Sequence, residues 1–238
     1  NPFFFFYKLR ILLIQFKNKK KDVKNVFIDV YKNNRWGKTN KEFFSGLGSY
    51  GLEARKYCNF INSFIGDLNR QKIRIVDLGC GDFNIGKQIV KKNIEYVGVD
   101  IVPELINRNK EKYSSQNVDF KCLDIISDDL PDGDICLLRL VLQHLSNDQI
   151  KKIFKKIGKY NYVFITEHYP SDDKKVISNK DKIHGPYIRL FKNSAVYLNK
   201  EPFNLSNLNL MLKTPVSFMR GEFRTYLLTN KKIEFFIN

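Results

Sequence analysis

Three aspartates stand where the sequence predicts that strands end, and the first of them precedes a glycine-rich turn. Asp77 comes before Gly79-Cys80-Gly81, and Asp100 and Asp124 follow the next two predicted strands. Glycines between a strand and a helix let the backbone approach a nucleoside closely, and an acid about 20 residues further on accepts from ribose hydroxyls. Asp100 lies 19 residues after Gly81. The pattern predicts a nucleoside-type ligand at the carboxyl ends of parallel strands.

A nicotinamide dinucleotide is the first competing ligand, because it binds to the same architecture. Its fingerprint places a glycine or alanine three residues after the second glycine, and Asn84 occupies that position. We expect the Asp82 carboxylate to lie where phosphates would bind, which disfavours an anionic dinucleotide. A ligand with a cationic sulfonium and an ammonium group is not disfavoured.

The elements that must position these residues alternate in type. Apolar runs predict strands at residues 72–78, 96–99, 118–122, 134–138 and 162–166, and helices at 85–92 and 103–113. A capping box at Ser146 and a glycine at Gly158 bound a further helix, and the stripe Ala54, Cys58, Ile61 and Ile65 predicts an earlier one. Such alternation indicates a doubly wound, mainly parallel α/β sheet. Runs at 209–215 and 222–229 predict an antiparallel C-terminal hairpin, for seven strands in all.

Composition limits the class of protein. The chain has 238 residues, 43% apolar and 28% charged, which excludes a disordered or fibrous protein and favours one domain with extensions. The four cysteines are far apart, so we expect reduced thiols in a cytoplasmic protein rather than a disulfide framework. With three histidines in the chain, we predict no metal site.

The net charge of +16 is concentrated at the N-terminus. Residues 1–41 contain eleven Lys or Arg and two acids. The apolar run at residues 3–14 is shorter than the roughly 20 residues that span a bilayer and lacks a cleavage site, so we expect no secretory signal. Two interpretations stay open: a peripheral contact of residues 3–24 with the inner face of the membrane, or a leading helix that covers part of the core. Residues 31–50 predict a long ordered loop.

Two segments carry a resemblance to a known family. Asp77-Leu78-Gly79-Cys80-Gly81 and Tyr96-Val97-Gly98-Val99-Asp100 resemble motif I and the acidic end of the second strand in class I S-adenosylmethionine-dependent methyltransferases. The third glycine of motif I is absent, with Phe83 or Asn84 in its place. The resemblance implies a Rossmann-like methyltransferase domain at residues 50–238, with an acceptor-side insertion at about 170–205. Residues 1–49 would form a helical, basic extension and a cofactor-covering loop.

The same resemblance implies the cofactor and its contacts. S-adenosyl-L-methionine would bind and S-adenosyl-L-homocysteine would leave. Gly79 and Gly81 would lie under the methionine part, Asp100 would bind the ribose, and Asp124 with the Ile125 backbone would contact the adenine. The remaining residues that we assign to the cofactor site are Asp77, which would reach the ammonium group, Cys80, Ile101 and Arg139.

A narrower resemblance concerns the acceptor. Segments such as Arg139–Ser146, Thr166–Pro170 and His184-Gly185-Pro186 are similar to a bacterial group associated with surface-polysaccharide gene sets. This implies O-methylation of a sugar or sugar substituent of a surface glycan or its precursor, and a hydroxyl acceptor needs a base. Our candidates for the base are His144, after the fourth strand, and Glu167 or His168, which we expect just beyond the fifth. We assign acceptor binding to Gln143, His184, Arg189 and Trp36.

Three alternatives stay open: an N-methyltransferase of an amino sugar, an RNA methyltransferase, and a cofactor-binding partner subunit without activity. The basic charge would attract RNA. More than half of it precedes residue 42, however, so we do not expect nucleic acid as a partner. The expected partner is a small-molecule or glycan acceptor.

Overall fold

The computed structural model describes residues 21–37, 43–172 and 176–229, and its centre is a mixed sheet. The strands that build it are β1 (Ile73–Leu78), β2 (Ile94–Asp100), β3 (Val118–Cys122), β4 (Ile135–Arg139), β5 (Tyr162–Tyr169), β8 (Leu208–Pro215) and β9 (Glu222–Thr229). Within the described residues the strand order is β3-β2-β1-β4-β5-β9-β8. β9 runs antiparallel to β5 and to β8, and the other pairs are parallel. The predicted fold class is confirmed.

Helices cover this sheet: α1 (Val23–Lys32), α2 (Gly51–Asp67), the short α3 (Gly86–Ile89), α4 (Pro103–Tyr113) and α5 (Asn147–Ile157). The start of α5 follows directly from its sequence. The Ser146 side chain accepts from the Gln149 backbone N–H, and the Gln149 side chain bonds back to the Ser146 backbone. These reciprocal bonds satisfy two donors that a helix start otherwise leaves unpaired.

The core lies on both faces of the sheet because side chains alternate along each strand. In β1, Ile73 and Ile75 pack into one apolar cluster, with α2, and Val76 and Leu78 pack into the other, with α5. β5 follows the same rule, since Phe164 belongs to the first cluster and Ile165 to the second. A parallel sheet that is buried on both faces needs such continuous apolar runs.

Three elements differ from the sequence prediction. The helix expected at residues 85–92 ends at Ile89, because Val90 is extended. β5 continues three residues beyond Thr166, because β9 pairs with it as far as Tyr169. The expected loop at 31–50 is interrupted at both ends, by α1 and by a 3-10 turn at Leu47–Ser49.

The segment between β5 and β8 is largely irregular, as predicted. In its described part it holds β6 (Ile177–Ser178), β7 (Ser194–Ala195), which pair in parallel, and a 3-10 turn at Arg189–Lys192. Most of the N-terminal stretch expected at a membrane, residues 3–20, lies outside the described residues. Among the described helices, none is long and apolar enough to span a membrane.

Candidate active site

The turn after β1 has three residues with positive φ. Gly79 and Gly81 have φ of 82° and 54°, and Phe83 has φ of 65°. Phe83 therefore takes the left-handed conformation at a place where motif I of the resembled family has its third glycine. Its ring is buried and packs edge-on against Phe120. This apolar packing offsets the strain of a left-handed phenylalanine, which costs about 1–2 kcal/mol.

The turn is tied to β2 through Asp100. Its carboxylate accepts from the Gly81 N–H at 3.1 Å and from the Val102 N–H at 3.2 Å. Burial raises the pKa of Asp100 to about 6, and these two backbone bonds oppose the rise. Each carboxylate oxygen has further lone pairs with which to accept from a ligand hydroxyl.

Asp77 and Arg139 are two further charged residues near the carboxyl ends of β1 and β4. Asp77 accepts from the Tyr96 hydroxyl at 2.6 Å. Burial raises its pKa to about 6, while that hydrogen bond and the charge of Arg139 lower it. The Arg139 guanidinium donates to the Gly48 carbonyl at 2.6 Å, and its buried Nε has no partner among the described residues.

A cavity of about 440 Å³ opens at the carboxyl ends of β1, β2 and β4. Every residue that we predicted for the cofactor lines it, namely Asp77, Gly79, Cys80, Gly81, Asp100, Ile101, Asp124, Ile125 and Arg139. Four of the residues predicted for the acceptor side also line it: Trp36, Gln143, His144 and His168. Glu167, His184 and Arg189 are not among its lining residues.

His144 lies in a 3-10 turn, Leu142–His144, directly after β4. Its Nδ1 is 3.1 Å from the Gly185 carbonyl oxygen. A carbonyl can only accept, so Nδ1 carries the proton and Nε2 of the neutral imidazole keeps its lone pair. Burial lowers the pKa of His144 to about 3, and the positive charge of Lys182 lowers it further. The imidazole is thus a neutral proton acceptor at physiological pH.

The expectation that Glu167 lies just beyond the fifth strand is wrong. Glu167 lies within β5 and accepts from the backbone N–H groups of Leu142 and Gln143, at 2.7 and 3.1 Å. Its side chain is turned away from the cavity because successive residues of a strand face opposite sides of the sheet. Burial raises its pKa to about 8, and the two N–H bonds oppose the rise. The carboxyl group therefore holds the turn that carries His144.

His168 also lies within β5, but on the other face, and it lines the cavity. Its ring packs edge-on against Phe223 with ring centroids 5.0 Å apart. Nε2 is buried and has no hydrogen-bond partner among the described residues. Burial lowers its pKa to about 4. His168 is a second neutral imidazole at the cavity wall.

Two predicted acceptor residues instead hold the insertion together. Arg189 is buried and donates to the carbonyls of Lys180 and Leu145, at 2.7 and 2.8 Å. His184 contacts Gln149 through Nδ1 and the Lys21 carbonyl through Nε2, both at 3.1 Å. The irregular sequence pattern of the insertion predicts a loop near the acceptor. It does not predict the direction in which the side chains of His184 and Arg189 point.

The expected orientation of Asp82 is also wrong. Its carboxylate accepts from the Tyr50 hydroxyl at 2.5 Å and from the backbone N–H groups of Ser45 and Asn84 at 3.3 and 3.1 Å. It does not line the cavity. The Asp82 carboxylate therefore holds the covering loop to the glycine turn.

Residues from α1 and the loop after it roof the cavity, and sequence reasoning missed most of them. Phe27, Tyr31 and Ser45 line it, and the Tyr31 hydroxyl lies 3.0 Å from Ser45 Oγ. The Trp36 indole donates to the Pro186 carbonyl at 3.2 Å, and its ring lies 5.3 Å from the His144 ring. We expected the covering loop. We did not expect the aromatic residues of α1, because the lysines of this segment indicated a solvent-exposed or membrane-bound helix.

The cavity residues fit S-adenosylmethionine. The Asp77 carboxylate can pair with an ammonium group, and the unpartnered Arg139 Nε can donate to a carboxylate. Gly79 and Gly81 admit no side chain, because a Cβ would collide with Val141 at the first position and with Ser45 at the second. Among the described residues, no cluster of His, Cys, Asp and Glu could hold a metal ion.

Comparison with known sequences shows the domain type. Residues 75–160 match the family model of a methyltransferase domain. The chain is 26% identical over 141 residues to a carboxy-S-adenosyl-L-methionine synthase of Campylobacter hominis, a match that covers 56% of this chain and 60% of that protein. The chain spans little more than half the length of the curated relatives it matches first.

Solved structures agree on the fold. Human N-acetylserotonin methyltransferase in complex with S-adenosylmethionine superposes with a TM-score of 0.57 at 14% identity, over 87% of this chain and 59% of that chain. The chain also superposes on a Burkholderia thailandensis 1,6-didemethyltoxoflavin-N1-methyltransferase, solved with 1,6-didemethyltoxoflavin and S-adenosylhomocysteine. The TM-score is 0.56 at 13% identity, over 87% of both chains. The chain therefore carries a methyltransferase-domain match at residues 75–160, and it has the fold that these solved methyltransferases share.

Proposed function

We propose that this protein transfers a methyl group from S-adenosylmethionine to a hydroxyl group of a sugar or sugar substituent, with His144 as the general base. One observation carries the proposal. The Gly185 carbonyl fixes the proton of His144 on Nδ1, so that Nε2 is an acceptor in the same cavity that holds Asp100 and the glycine turn. The association with bacterial surface glycans rests on the resemblance of the motifs.

The cofactor, when bound, supplies an electrophilic methyl group on a cationic sulfur and leaves as the neutral thioether. The protein's part is to bind and align the reactants. In the proposed complex Asp100 accepts from the ribose hydroxyls and Asp124 lies at the adenine. Arg139 pairs with the methionine carboxylate. The roof formed by Phe27, Tyr31 and Trp36 excludes water.

The acceptor hydroxyl gives its proton to His144 Nε2 while its oxygen forms the bond to the methyl carbon. The bound cofactor would supply the methyl group, and its sulfur would keep the electron pair of the sulfur–carbon bond. His144 becomes an imidazolium, which loses its proton to solvent readily because burial destabilises the charged form. The Glu167 carboxyl group contributes through the backbone of Leu142 and Gln143, which positions the turn.

Unpaired acceptor atoms in the cavity favour a hydroxylated substrate. Gln143 Oε1 and His168 Nε2 are buried without a hydrogen-bond partner among the described residues, and both residues line the cavity. A buried polar atom without a partner costs about 1–3 kcal/mol, so a substrate that brings several hydroxyl donors gains affinity here. Phe223 and Trp36 also line the cavity and add apolar surface next to these polar atoms. These features support a sugar over a hydrocarbon acceptor.

A direct test is a screen of the purified protein with methyl-labelled cofactor against nucleotide sugars and surface oligosaccharides, read by mass spectrometry. We expect a product 14 Da heavier than one of the acceptors for each methyl group transferred, and its absence with His144→Ala. If the labelled product is an N-methylated amino sugar, the acceptor atom is nitrogen and not oxygen. If RNA is labelled, the acceptor is a nucleic acid and not a sugar. Cofactor binding without any labelled product would favour a partner subunit without activity.

A second candidate follows from the names of the sequence relatives, which are carboxy-S-adenosyl-L-methionine synthases. A carboxylated cofactor would need a cation near it, and Arg35 and Arg139 both line the cavity. The mass of the cofactor recovered after incubation distinguishes the two reactions. Methyl transfer yields S-adenosylhomocysteine. The second candidate needs a carboxyl donor in the incubation and yields a cofactor in which a carboxyl group replaces one hydrogen of the methyl group.

A further inference from the structure

An open depression adjoins the cavity through the segment at residues 182–187. It is lined by Ser146, Asp181, Lys182, Ile183, His184 and Lys192. Pro186 and Tyr187, the continuation of the same segment, line the cavity. The proposed reaction makes no use of the side chains in this depression.

Lys182 is its unusual member. The side chain is only 5% exposed, yet within the described chain its ammonium makes one hydrogen bond, a long one of 3.5 Å to the Gly185 carbonyl. An ammonium group has three donors. A buried cation with two unused donors is costly unless an anion or acceptor completes its surroundings.

The carboxylates near Lys182 are already engaged with backbone groups. Asp181 accepts from the Asn147 N–H at 2.7 Å. Glu167 accepts from the backbone N–H groups of the turn before His144. Neither forms an ion pair with Lys182 among the described residues, so no carboxylate is a direct partner of its ammonium group.

Other cations add to the positive potential of the depression. Arg189 and Lys192 both act on Lys182 through their charge, and Lys180 acts on Lys192. The acids that act on these cations are Asp181 and Glu167, and Asp22 and Asp124 act on His184 of the same depression. Two lysines, Lys182 and Lys192, line the depression itself, and ammonium groups in an open depression attract anions.

We propose that this depression binds a tetrahedral oxyanion of the phosphate type, held by the ammonium groups of Lys182 and Lys192 and by the Ser146 hydroxyl. Ser146 Oγ accepts from the Gln149 N–H, so its own proton is available to donate. His144 Nδ1 and Lys182 Nζ lie 3.1 and 3.5 Å from the same carbonyl oxygen and are therefore at most 6.6 Å apart. The inference rests on the proposed function where it gives the methyl acceptor a phosphate group.

Oxyanion binding here takes up a proton near neutral pH. Burial lowers the pKa of Lys182 to about 7, and the charges of Arg189 and Lys192 lower it further, against Asp181 and Glu167. A bound oxyanion favours the charged ammonium. The affinity for sulfate, whose own charge is constant between pH 6 and 9, should fall about tenfold per pH unit above the pKa of Lys182.

Titration calorimetry with inorganic phosphate and with sulfate tests the site directly, with S-adenosylhomocysteine present to occupy the cofactor cavity. We expect saturable binding that weakens at least about tenfold in Lys182→Met and survives in Lys182→Arg. Lys152→Met, which removes an exposed lysine of α5, is the matched control and should bind like wild type. Lys192→Met gives a second variant if Lys182→Met fails to fold.

Equal affinity for phosphate and sulfate in wild type, Lys182→Met and Lys192→Met would overturn the site. Binding that never saturates would overturn it as well. The measurement does not involve methyl transfer, so failure of the oxyanion site and failure of the proposed function can be distinguished. Once an acceptor is known, competition by inorganic phosphate identifies the source of the oxyanion. A raised KM for the acceptor assigns the site to its phosphate group, and an unchanged KM overturns that assignment.

Discussion

The Nδ1 atom of His144 and the carbonyl oxygen of Gly185 are 3.1 Å apart, and the backbone N–H of Gly185 donates to the His144 carbonyl at 2.9 Å. These two bonds join the turn after β4 to the insertion between β5 and β8, 41 residues further along the chain. The same contact decides which ring nitrogen carries the proton. This contact therefore both holds the insertion against the turn and places the proton of the base.

Replacing His144 tests its role as the base. His144→Ala should lower kcat by about 10²–10⁴, the usual loss when a general base is removed, while the Kd for S-adenosylhomocysteine stays within about twofold. Steady-state kinetics on the acceptor found in the screen, with calorimetry for the cofactor, measures both. Lys152→Met serves as the surface control. A wild-type rate in His144→Ala would leave alignment as the whole mechanism.

The pH dependence of kcat reports the unusual environment of His144. An imidazole with the ordinary pKa of about 6.5 would give a rate that rises with pH through that value. Burial lowers the pKa of His144 to about 3, so the base is already unprotonated at pH 5. We expect kcat to be flat between about pH 5 and 8. A rise centred near pH 6.5 would contradict a buried, neutral base.

His168 should make the fold sensitive to acid. Its pKa is about 4 in the folded state and about 6.5 in the unfolded chain, so the unfolded state binds more protons between these values. Its contribution to stability is complete above pH 6.5 and is lost as the pH falls through 4, at up to about 1.4 kcal/mol per pH unit. Urea unfolding at several pH values should show a shallower acid loss in His168→Phe. Identical slopes would refute the depressed pKa.

The glycine turn should tolerate no side chain at Gly79. Its φ is 82°, and an added Cβ would collide with Val141, so Gly79→Ala should destabilise by at least about 1–2 kcal/mol. The control is Gly66→Ala in α2, where a Cβ meets nothing within 4 Å. It should stabilise by roughly 0.5–1 kcal/mol through helix propensity. Urea unfolding measures the free energy of unfolding of both variants. An unchanged free energy in Gly79→Ala would show that the turn is not constrained.

The sequence predicts those parts of the fold that depend on local rules. α4 spans Pro103–Tyr113, the predicted range, and α5 begins at its capping box. The cofactor residues also came from local signals, because a strand, a glycine turn and an acid at the next strand end follow one another at fixed spacing.

What the sequence does not predict depends on pairing across long distances. The end of β5 is set by β9, about 60 residues later, and this extension moves Glu167 and His168 from a loop into a strand with opposite orientations. Arg189 and His184 are engaged by carbonyls and side chains of other segments. No residue spacing encodes such contacts, so the acceptor side was predicted less well than the cofactor side.

Titration calorimetry of cofactor binding bears most directly on the identity of the domain as an S-adenosylmethionine-dependent methyltransferase. We expect wild type to bind S-adenosylhomocysteine in the micromolar range and not to bind NAD. Asp100→Ala should weaken S-adenosylhomocysteine binding about tenfold to a hundredfold, since lost hydrogen bonds to a charged acceptor cost about 1.5–3 kcal/mol. Binding of NAD without any binding of S-adenosylhomocysteine or S-adenosylmethionine would contradict the assignment of this cavity.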